Sequence, residues 1–228
     1  MKRLMVMACV TALGAACADV GATHASPAQI TAPSQIVQPR TIVALGDSLT
    51  SGKGLQATEA YPAVLQGLLD ALKLPFRVVN HGVSGDTTAG GVRRLRAALD
   101  EKPAILILAL GANDGLRGVP LSQVRSNLET IIEAAQAEGV QVLLCGMEAL
   151  PTHGWDYFLQ FHQLYPELAA KYKIPLVPFI MQNVLLNGQE MLQPDFHPNA
   201  RGAAEIAATI WPYLQQLVTA PTTIVVTR

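Results

Sequence analysis

Residues 41–49 read TIVALGDSL, an apolar run that ends in a glycine, an acid and a serine. The apolar part has the composition of a strand that is buried on both faces, as strands of parallel sheets are. In open α/β sheets, ligands bind beyond the carboxyl ends of the strands. Ser48 is therefore a candidate nucleophile, although Gly, Asp and Ser are also common in an ordinary turn after a strand.

The rest of the chain alternates apolar runs with helical patterns. Strands are predicted at 41–46, 77–81, 104–110, 140–146 and 176–179. Helices are predicted between and after them, at 60–73, 88–99, 121–138, 157–173 and 199–217. Strands that alternate with helices form a parallel sheet covered by helices, so the pattern predicts an α/β fold.

The composition of the chain narrows the range of possible functions. The chain has 228 residues, half of them hydrophobic, and only 14% are charged, with a net charge of −1. This length predicts one domain once processing is allowed for, here residues 41–218 followed by a tail at 219–228. No basic face for nucleic acid and no polybasic membrane anchor is evident. Motifs for phosphate or dinucleotide binding are absent, so no cofactor is expected.

The N-terminus has the pattern of a secretory signal. Lys2 and Arg3 precede an apolar stretch, 4–17, which is too short to span a membrane. We expect a signal peptide over 1–25, a Pro- and Ser-containing linker over 26–40, and export to the periplasm or the medium. The alternative is a lipoprotein anchored at Cys17, because LGAAC at 13–17 resembles a lipobox, but its leucine is one position too far from the cysteine.

Cysteine usage gives no evidence of a disulfide or a metal site. Of three cysteines, only Cys145 would remain after cleavage, and it lies inside an apolar strand pattern, which predicts a buried and inert thiol. No Cys/His spacing indicates a metal site, so none is expected.

Three further segments place polar residues where chemistry would need them. NHGVSGDTT (80–88) and GANDG (111–115) each follow an apolar strand, and DFHPN (195–199) supplies a histidine. Together with GDSL (46–49), these four ordered blocks resemble the SGNH (GDSL) hydrolases, especially the bacterial thioesterase I, lysophospholipase and arylesterase subgroup. The resemblance covers about residues 41–217. It implies a three-layer α/β/α sandwich around a five-stranded, mostly parallel sheet of the flavodoxin-like kind.

The four blocks also suggest roles. Hydrolysis of an ester by a serine enzyme needs a nucleophile, a base, a group that orients the base, and donors for the oxyanion. Ser48 is the candidate nucleophile, His197 the base and Asp195 the orienting acid. The resemblance implies an oxyanion hole formed by the backbone N–H groups of Ser48 and Gly85 and by the side-chain amide of Asn113. Taken singly, Gly85 and Asn113 are better explained as turn residues, but together with Ser48 and His197 they become candidate oxyanion donors.

Two positions depart from the family pattern. The family usually has its Asp and His three residues apart, whereas Asp195 and His197 are two apart. In an extended segment, positions i and i+2 point to one side, so contact between them would still be possible. Lys53 stands where the subgroup often has an aromatic residue, which would alter the rim of the pocket.

The sequence thus predicts a secreted serine esterase that acts on acyl esters, thioesters or lysophospholipids through an acyl-enzyme, with a small ester or lipid-like molecule as substrate. Two alternatives stay open: a carbohydrate O-deacetylase, and a secreted binding domain with a weakened site. The Gly-x-Ser-x-Gly elbow of the other common serine-hydrolase architecture is absent. Acyl-chain length, leaving group and oligomeric state are not encoded in any recognisable pattern.

Overall fold

The computed structural model describes residues 38–220. Its strands are β1 (Arg40–Gly46), β2 (Phe76–Gly82), β3 (Pro103–Ala109), β4 (Gln141–Cys145) and β5 (Leu176–Val177). Its α-helices are α1 (Ser48–Ser51), α2 (Tyr61–Ala71), α3 (Thr88–Asp100), α4 (Ala112–Arg117), α5 (Leu121–Ala137), α6 (Trp155–Tyr172), α7 (Gln182–Leu186) and α8 (Ala200–Thr219). All five predicted strands and all five predicted helices are present. The short helices α1, α4 and α7 are additional to the prediction.

The strands form a single sheet in the order β2-β1-β3-β4-β5, and every pairing in it is parallel. The chain runs outward from β1 to β2 and then crosses back over β1 to β3. Ligands bind where the strand order reverses in this way, beyond the carboxyl ends of the strands. The register aligns Gly46 with both Gly82 and Ala109, so the loops after β1, β2 and β3 start level at one edge of the sheet.

Helices cover the sheet in two layers. Helices α3, α5 and α6 pack side by side, and α2 packs against α8. Since parallel crossovers are right-handed, the reversal of direction after β2 places α2 on the face opposite α3. The three-layer α/β/α prediction is confirmed, and the sheet is parallel throughout rather than mostly so.

The core lies along the central strands. Residues 42–45 of β1 and 105–108 of β3 have no exposed surface, which explains why these strands read as uninterrupted apolar runs. Cys145, at the end of β4, is a free and fully buried cysteine. Burial raises the pKa of its thiol well above the ordinary range, as expected of an inert side chain.

The predicted domain, residues 41–218, is one residue shorter at each end than the strands and helices that it contains. Strand β1 begins at Arg40, inside the predicted linker, and α8 continues to Thr219, inside the predicted tail. The predicted signal peptide, Cys17, most of the linker and the tail from residue 221 lie outside the described residues. Between residues 38 and 220, none of the helices has the length and apolar character needed to cross a membrane.

Candidate active site

Ser48 is the first residue of helix α1, directly after β1. Asp47 caps this single turn: its Oδ1 accepts the N–H of Leu49 at 3.0 Å. The end of β2 holds the same turn from the side, because the Asn80 side-chain amide donates to the carbonyl of Thr50 at 2.7 Å. A four-residue helix has too few internal bonds to be stable alone, so these contacts fix the position of Ser48.

His197 reaches Ser48 from the loop before α8. The distance from Ser48 Oγ to His197 Nε2 is 3.0 Å, which is that of a hydrogen bond. The loop is closed by an isolated bridge between Leu192 and Pro198 and by the Gln193 N–H, which donates to the His197 carbonyl at 2.6 Å. The candidate nucleophile and the candidate base, 149 residues apart in sequence, therefore lie in the geometry that proton transfer requires.

Asp195 lies beside His197, but it is not aligned in the usual way. Asp195 Oδ2 is 3.1 Å from His197 Nδ1, while this nitrogen, itself buried, forms no well-directed hydrogen bond within residues 38–220. The same Oδ2 accepts from Lys53 Nζ at 2.9 Å, and Oδ1 accepts the His197 N–H at 3.3 Å. The Lys53 ammonium holds the pKa of the Asp195 carboxyl below its usual value.

The contact between Asp195 and His197 arises in a turn rather than in an extended segment. Residues 193–196 form a turn in which the Phe196 N–H donates to the Gln193 carbonyl at 3.0 Å. Phe196 has φ +63°, in the left-handed region that residues other than glycine rarely adopt. The segment is one residue shorter than the family pattern, and it forms a tight turn that brings the Asp195 carboxylate and the His197 imidazole together.

The predicted oxyanion donors come from the loops after β2 and β3. Asn113 is the second residue of α4, and its side-chain nitrogen donates to the Asp86 carbonyl at 2.9 Å. Its other contact, with Asp47 Oδ2, is longer, at 3.3 Å, which leaves one N–H only weakly engaged. Gly85 lies in the loop after β2 with φ +81°, a conformation that suits glycine, and Arg117 binds its carbonyl at 3.0 Å.

A cavity of about 300 Å³ opens beside Ser48. Asn113, Asp195 and His197 also line it, whereas Gly85 is not among the lining residues. The rest of its wall is mostly apolar and includes Leu49, Ala112, Leu116, Met147, Leu150, Phe179, Met181, Leu185 and Phe196. A serine–histidine pair at an apolar cavity is an arrangement suited to hydrolysis of an ester with an apolar acyl group.

Comparison with known proteins decides the family. The model of the GDSL-like lipase/acylhydrolase family matches residues 44–205. The chain belongs to this family. Esterase TesA of Pseudomonas aeruginosa is 39% identical over 188 residues, which are 81% of this chain and 92% of that protein. Thioesterase 1/protease 1/lysophospholipase L1 of Escherichia coli is 36% identical over 179 residues, 78% of this chain and 85% of that protein.

Solved structures agree with the sequence relatives. A crystal structure of TesA has a TM-score of 0.74 at 39% identity, and the match covers 78% of this chain and 99% of that one. The resemblance of the four sequence blocks to SGNH hydrolases is thus confirmed, and the protein is a carboxylic ester hydrolase of this family.

Arg94 of this hydrolase binds the backbone beneath the loops of the site, and the sequence did not reveal this role. From α3, its guanidinium donates to the carbonyls of Gly46 and His81 at 2.8 and 2.7 Å. It also forms an ion pair with Asp86 at 2.5 Å. One side chain therefore ties the ends of β1 and β2 to the loop that carries Gly85. Two of its partners are backbone carbonyls, which leave no sequence signal.

Two buried acids support the site without lining the cavity. Asp47 has no exposed surface, and burial raises the pKa of its carboxyl to about 6. Asp114 accepts from the N–H and the hydroxyl of Thr88 at 2.8 and 2.7 Å, at the start of α3, and burial also raises its pKa. Both acids therefore bond the loops to one another, as structural residues do.

Two other histidines contact residues of the cavity wall rather than Ser48. His153 contacts the Leu116 carbonyl at 3.1 Å, and His162 contacts Glu148 Oε1 at 2.7 Å. Glu148 is itself a polar residue of the cavity wall that the sequence did not reveal. Among the described residues, no group of three or more His, Cys, Asp or Glu side chains is placed to hold a metal ion.

Proposed function

We propose that this hydrolase is an exported serine esterase in which Ser48, His197 and Asp195 hydrolyse acyl esters through an acyl-enzyme. The observation that carries the proposal is the 3.0 Å contact between Ser48 Oγ and His197 Nε2 at the mouth of an apolar cavity. A hydroxyl is a poor nucleophile unless a neighbouring base takes its proton, and this contact supplies the base.

The proposed reaction has two halves. In the first, His197 Nε2 takes the proton of Ser48 as Oγ attacks the ester carbonyl, and the imidazolium then returns that proton to the leaving alcohol or thiol. In the second, His197 activates a water that attacks the acyl-enzyme, and the carboxylic acid leaves as Ser48 regains its proton. Asp195 keeps the Nδ1 side of the ring protonated and offsets the charge of the imidazolium.

The oxyanion of each tetrahedral intermediate is proposed to bind the N–H groups of Ser48 and Gly85 and the amide of Asn113. The support is strongest for Asn113, because this residue lines the cavity with Ser48 and has one N–H that is only weakly engaged. Gly85 is supported through its loop: Arg94 and Asn113 both bind the next residue, Asp86.

The cavity favours an acyl ester over a sugar. At about 300 Å³ it falls at the small end of ligand cavities, which span roughly 300–1,000 Å³. Its wall offers Asn113, Glu148 and Asp195 as the main polar groups around a ring of apolar side chains. We therefore propose esters of short to medium acyl chains as substrates, whether the leaving group is a thiol or an alcohol such as the glycerol hydroxyl of a lysophospholipid.

The test combines a substrate panel with active-site labelling. p-Nitrophenyl esters of increasing chain length, an acyl thioester, a lysophospholipid and an acetylated sugar are compared for wild type, Ser48→Ala and Ser84→Ala. We expect Ser48→Ala alone to abolish hydrolysis, and a fluorophosphonate to label Ser48. A label on Ser84 with Ser48→Ala still active would refute the assignment, and preference for the acetylated sugar would favour the deacetylase.

Export is proposed on the charge and apolar pattern of residues 2–17. N-terminal sequencing of protein recovered from outside the cytoplasm should begin near residue 23 or 26, after Ala22 or Ala25. A lipid-modified Cys17 at the mature N-terminus would establish the lipoprotein instead.

A further inference from the structure

Lys53 forms an ion pair with the acid of the proposed triad. Its Nζ lies 2.9 Å from Asp195 Oδ2, the oxygen that faces His197 Nδ1 at 3.1 Å. Both partners are about half exposed, 47% for Lys53 and 50% for Asp195. An exposed ion pair of this kind contributes little to folding stability. What distinguishes this pair is its position, because one carboxylate oxygen connects the cation to the catalytic base.

The backbone around Lys53 fits closely against the catalytic loop. The side-chain amide of Gln193 donates to the Lys53 carbonyl at 2.8 Å and to the Pro198 carbonyl at 2.9 Å. Gly54 has φ +80°, and a Cβ there would come within 2.3 Å of Gln193 Oε1. The absence of a side chain at Gly54 therefore allows the backbone at residues 53 and 54 to contact Gln193. Lys53 and the loop are joined at two points, one through the backbone and one through the ammonium.

The loop needs such a second support. With only one residue between Asp195 and His197, the turn at Phe196 leaves the Nδ1–H without a well-directed bond to the carboxylate. On its own loop, the half-exposed carboxylate is otherwise held only by the His197 N–H, which donates to Oδ1 at 3.3 Å. The Lys53 ammonium donates to Oδ2 at 2.9 Å and so restricts rotation of the carboxylate into solvent.

We propose that Lys53 is a positioning residue of this active site, which holds Asp195 against His197. The inference rests on the proposed Ser48–His197–Asp195 mechanism. Lys53 does not touch the reacting atoms at Ser48 and acts through the carboxylate.

Lys53→Met removes the charge and keeps most of the length of the side chain, while Lys53→Arg keeps the charge. Lys171→Met is the matched control, because Lys171 pairs with Glu129 at 2.8 Å, is 52% exposed and lies on α6 away from the cavity. For Lys53→Met we expect kcat to fall about 5- to 50-fold with little change in KM. Lys53→Arg should restore kcat towards wild type, and Lys171→Met should leave kcat and KM unchanged.

A cycle with Asp195→Asn tests whether Lys53 acts through the carboxylate. In that background Lys53→Met should cost no further kcat. An unchanged kcat in Lys53→Met, while Ser48→Ala remains inactive, would overturn the role of Lys53 and leave the proposed function intact. A Lys53→Arg variant as impaired as Lys53→Met would overturn it too. Hydrolysis that does not depend on Ser48 at all would instead refute the proposed function.

Discussion

Asp47 provides a test of how burial at this site is linked to stability. Its carboxyl is fully buried next to Ser48, and its pKa is about 6 in the folded protein, against 3.8 for the ordinary group. Because the folded-state pKa is raised, folding favours the protonated form. The stability contributed by this group is therefore present at low pH and is lost as pH rises from about 4 through 6.

The magnitude follows from the size of the shift. A difference of about two pH units between folded and unfolded protein corresponds to about 3 kcal/mol lost from the free energy of unfolding by pH 8. Asp47→Asn removes this loss, because an amide does not titrate. The amide oxygen keeps the bond to the Leu49 N–H, but its NH₂ group then faces the Asn113 amide, which costs about 1 kcal/mol at every pH.

The assay is urea unfolding of wild type and Asp47→Asn at intervals from pH 4 to 8. We expect the variant to be less stable than wild type near pH 4 and more stable near pH 8, with a relative change of about 2.5 kcal/mol. Asp156→Asn, which removes an exposed carboxylate in the first turn of α6, controls for the general change in charge. A difference between Asp47→Asn and wild type that stays constant across this range would refute the argument that burial raises the pKa.

Two further predictions concern the catalytic residues. Asn113→Ala should lower kcat by roughly 100-fold or more with a smaller effect on KM, because the proposed bond to the oxyanion strengthens in the transition state. Steady-state kinetics on a p-nitrophenyl ester would measure both constants. An unchanged kcat would count against the role of Asn113. His197→Ala should abolish most activity, whereas Asp195→Ala should cost clearly less than the roughly 10,000-fold typical of a well-aligned triad acid, because its carboxylate is shared with Lys53 and meets Nδ1 at a poor angle. A total loss in Asp195→Ala would show that the short spacing already aligns the pair.

The fold was predictable because the sequence patterns that indicate its strands and helices are local and extend over many residues. Each central strand is an apolar run that ends at a glycine or a polar block, and the long helices show their period over three or more turns. Helices α1, α4 and α7 were not predicted. They have four to six residues, too few to nucleate alone, and α1 at least forms because caps and neighbouring loops bind its ends.

The site was predictable only in part, and the reason is physical. Ser48 and His197 belong to blocks with a recognisable pattern, and the register of β1, β2 and β3 explains why three of those blocks meet. Arg94 and Gln193 could not be predicted, because they act on backbone carbonyls that any sequence would offer. Lys53 was visible only as a departure from the family pattern, and nothing local indicates that Asp195 is its partner.

The short spacing between Asp195 and His197 has several structural consequences that are linked to one another. Removing one residue from the loop would be expected to separate acid and base, yet the turn keeps Nδ1 and Oδ2 3.1 Å apart. It does so by placing Phe196 in a left-handed conformation, which leaves 77% of that side chain exposed at the edge of the cavity. It also turns the carboxylate towards solvent, where Lys53 can reach it. From the spacing of Asp and His alone, this site would be interpreted as defective. If Lys53 has the proposed role, the segment that bears the candidate nucleophile Ser48 also holds Asp195, the candidate acid that would orient His197.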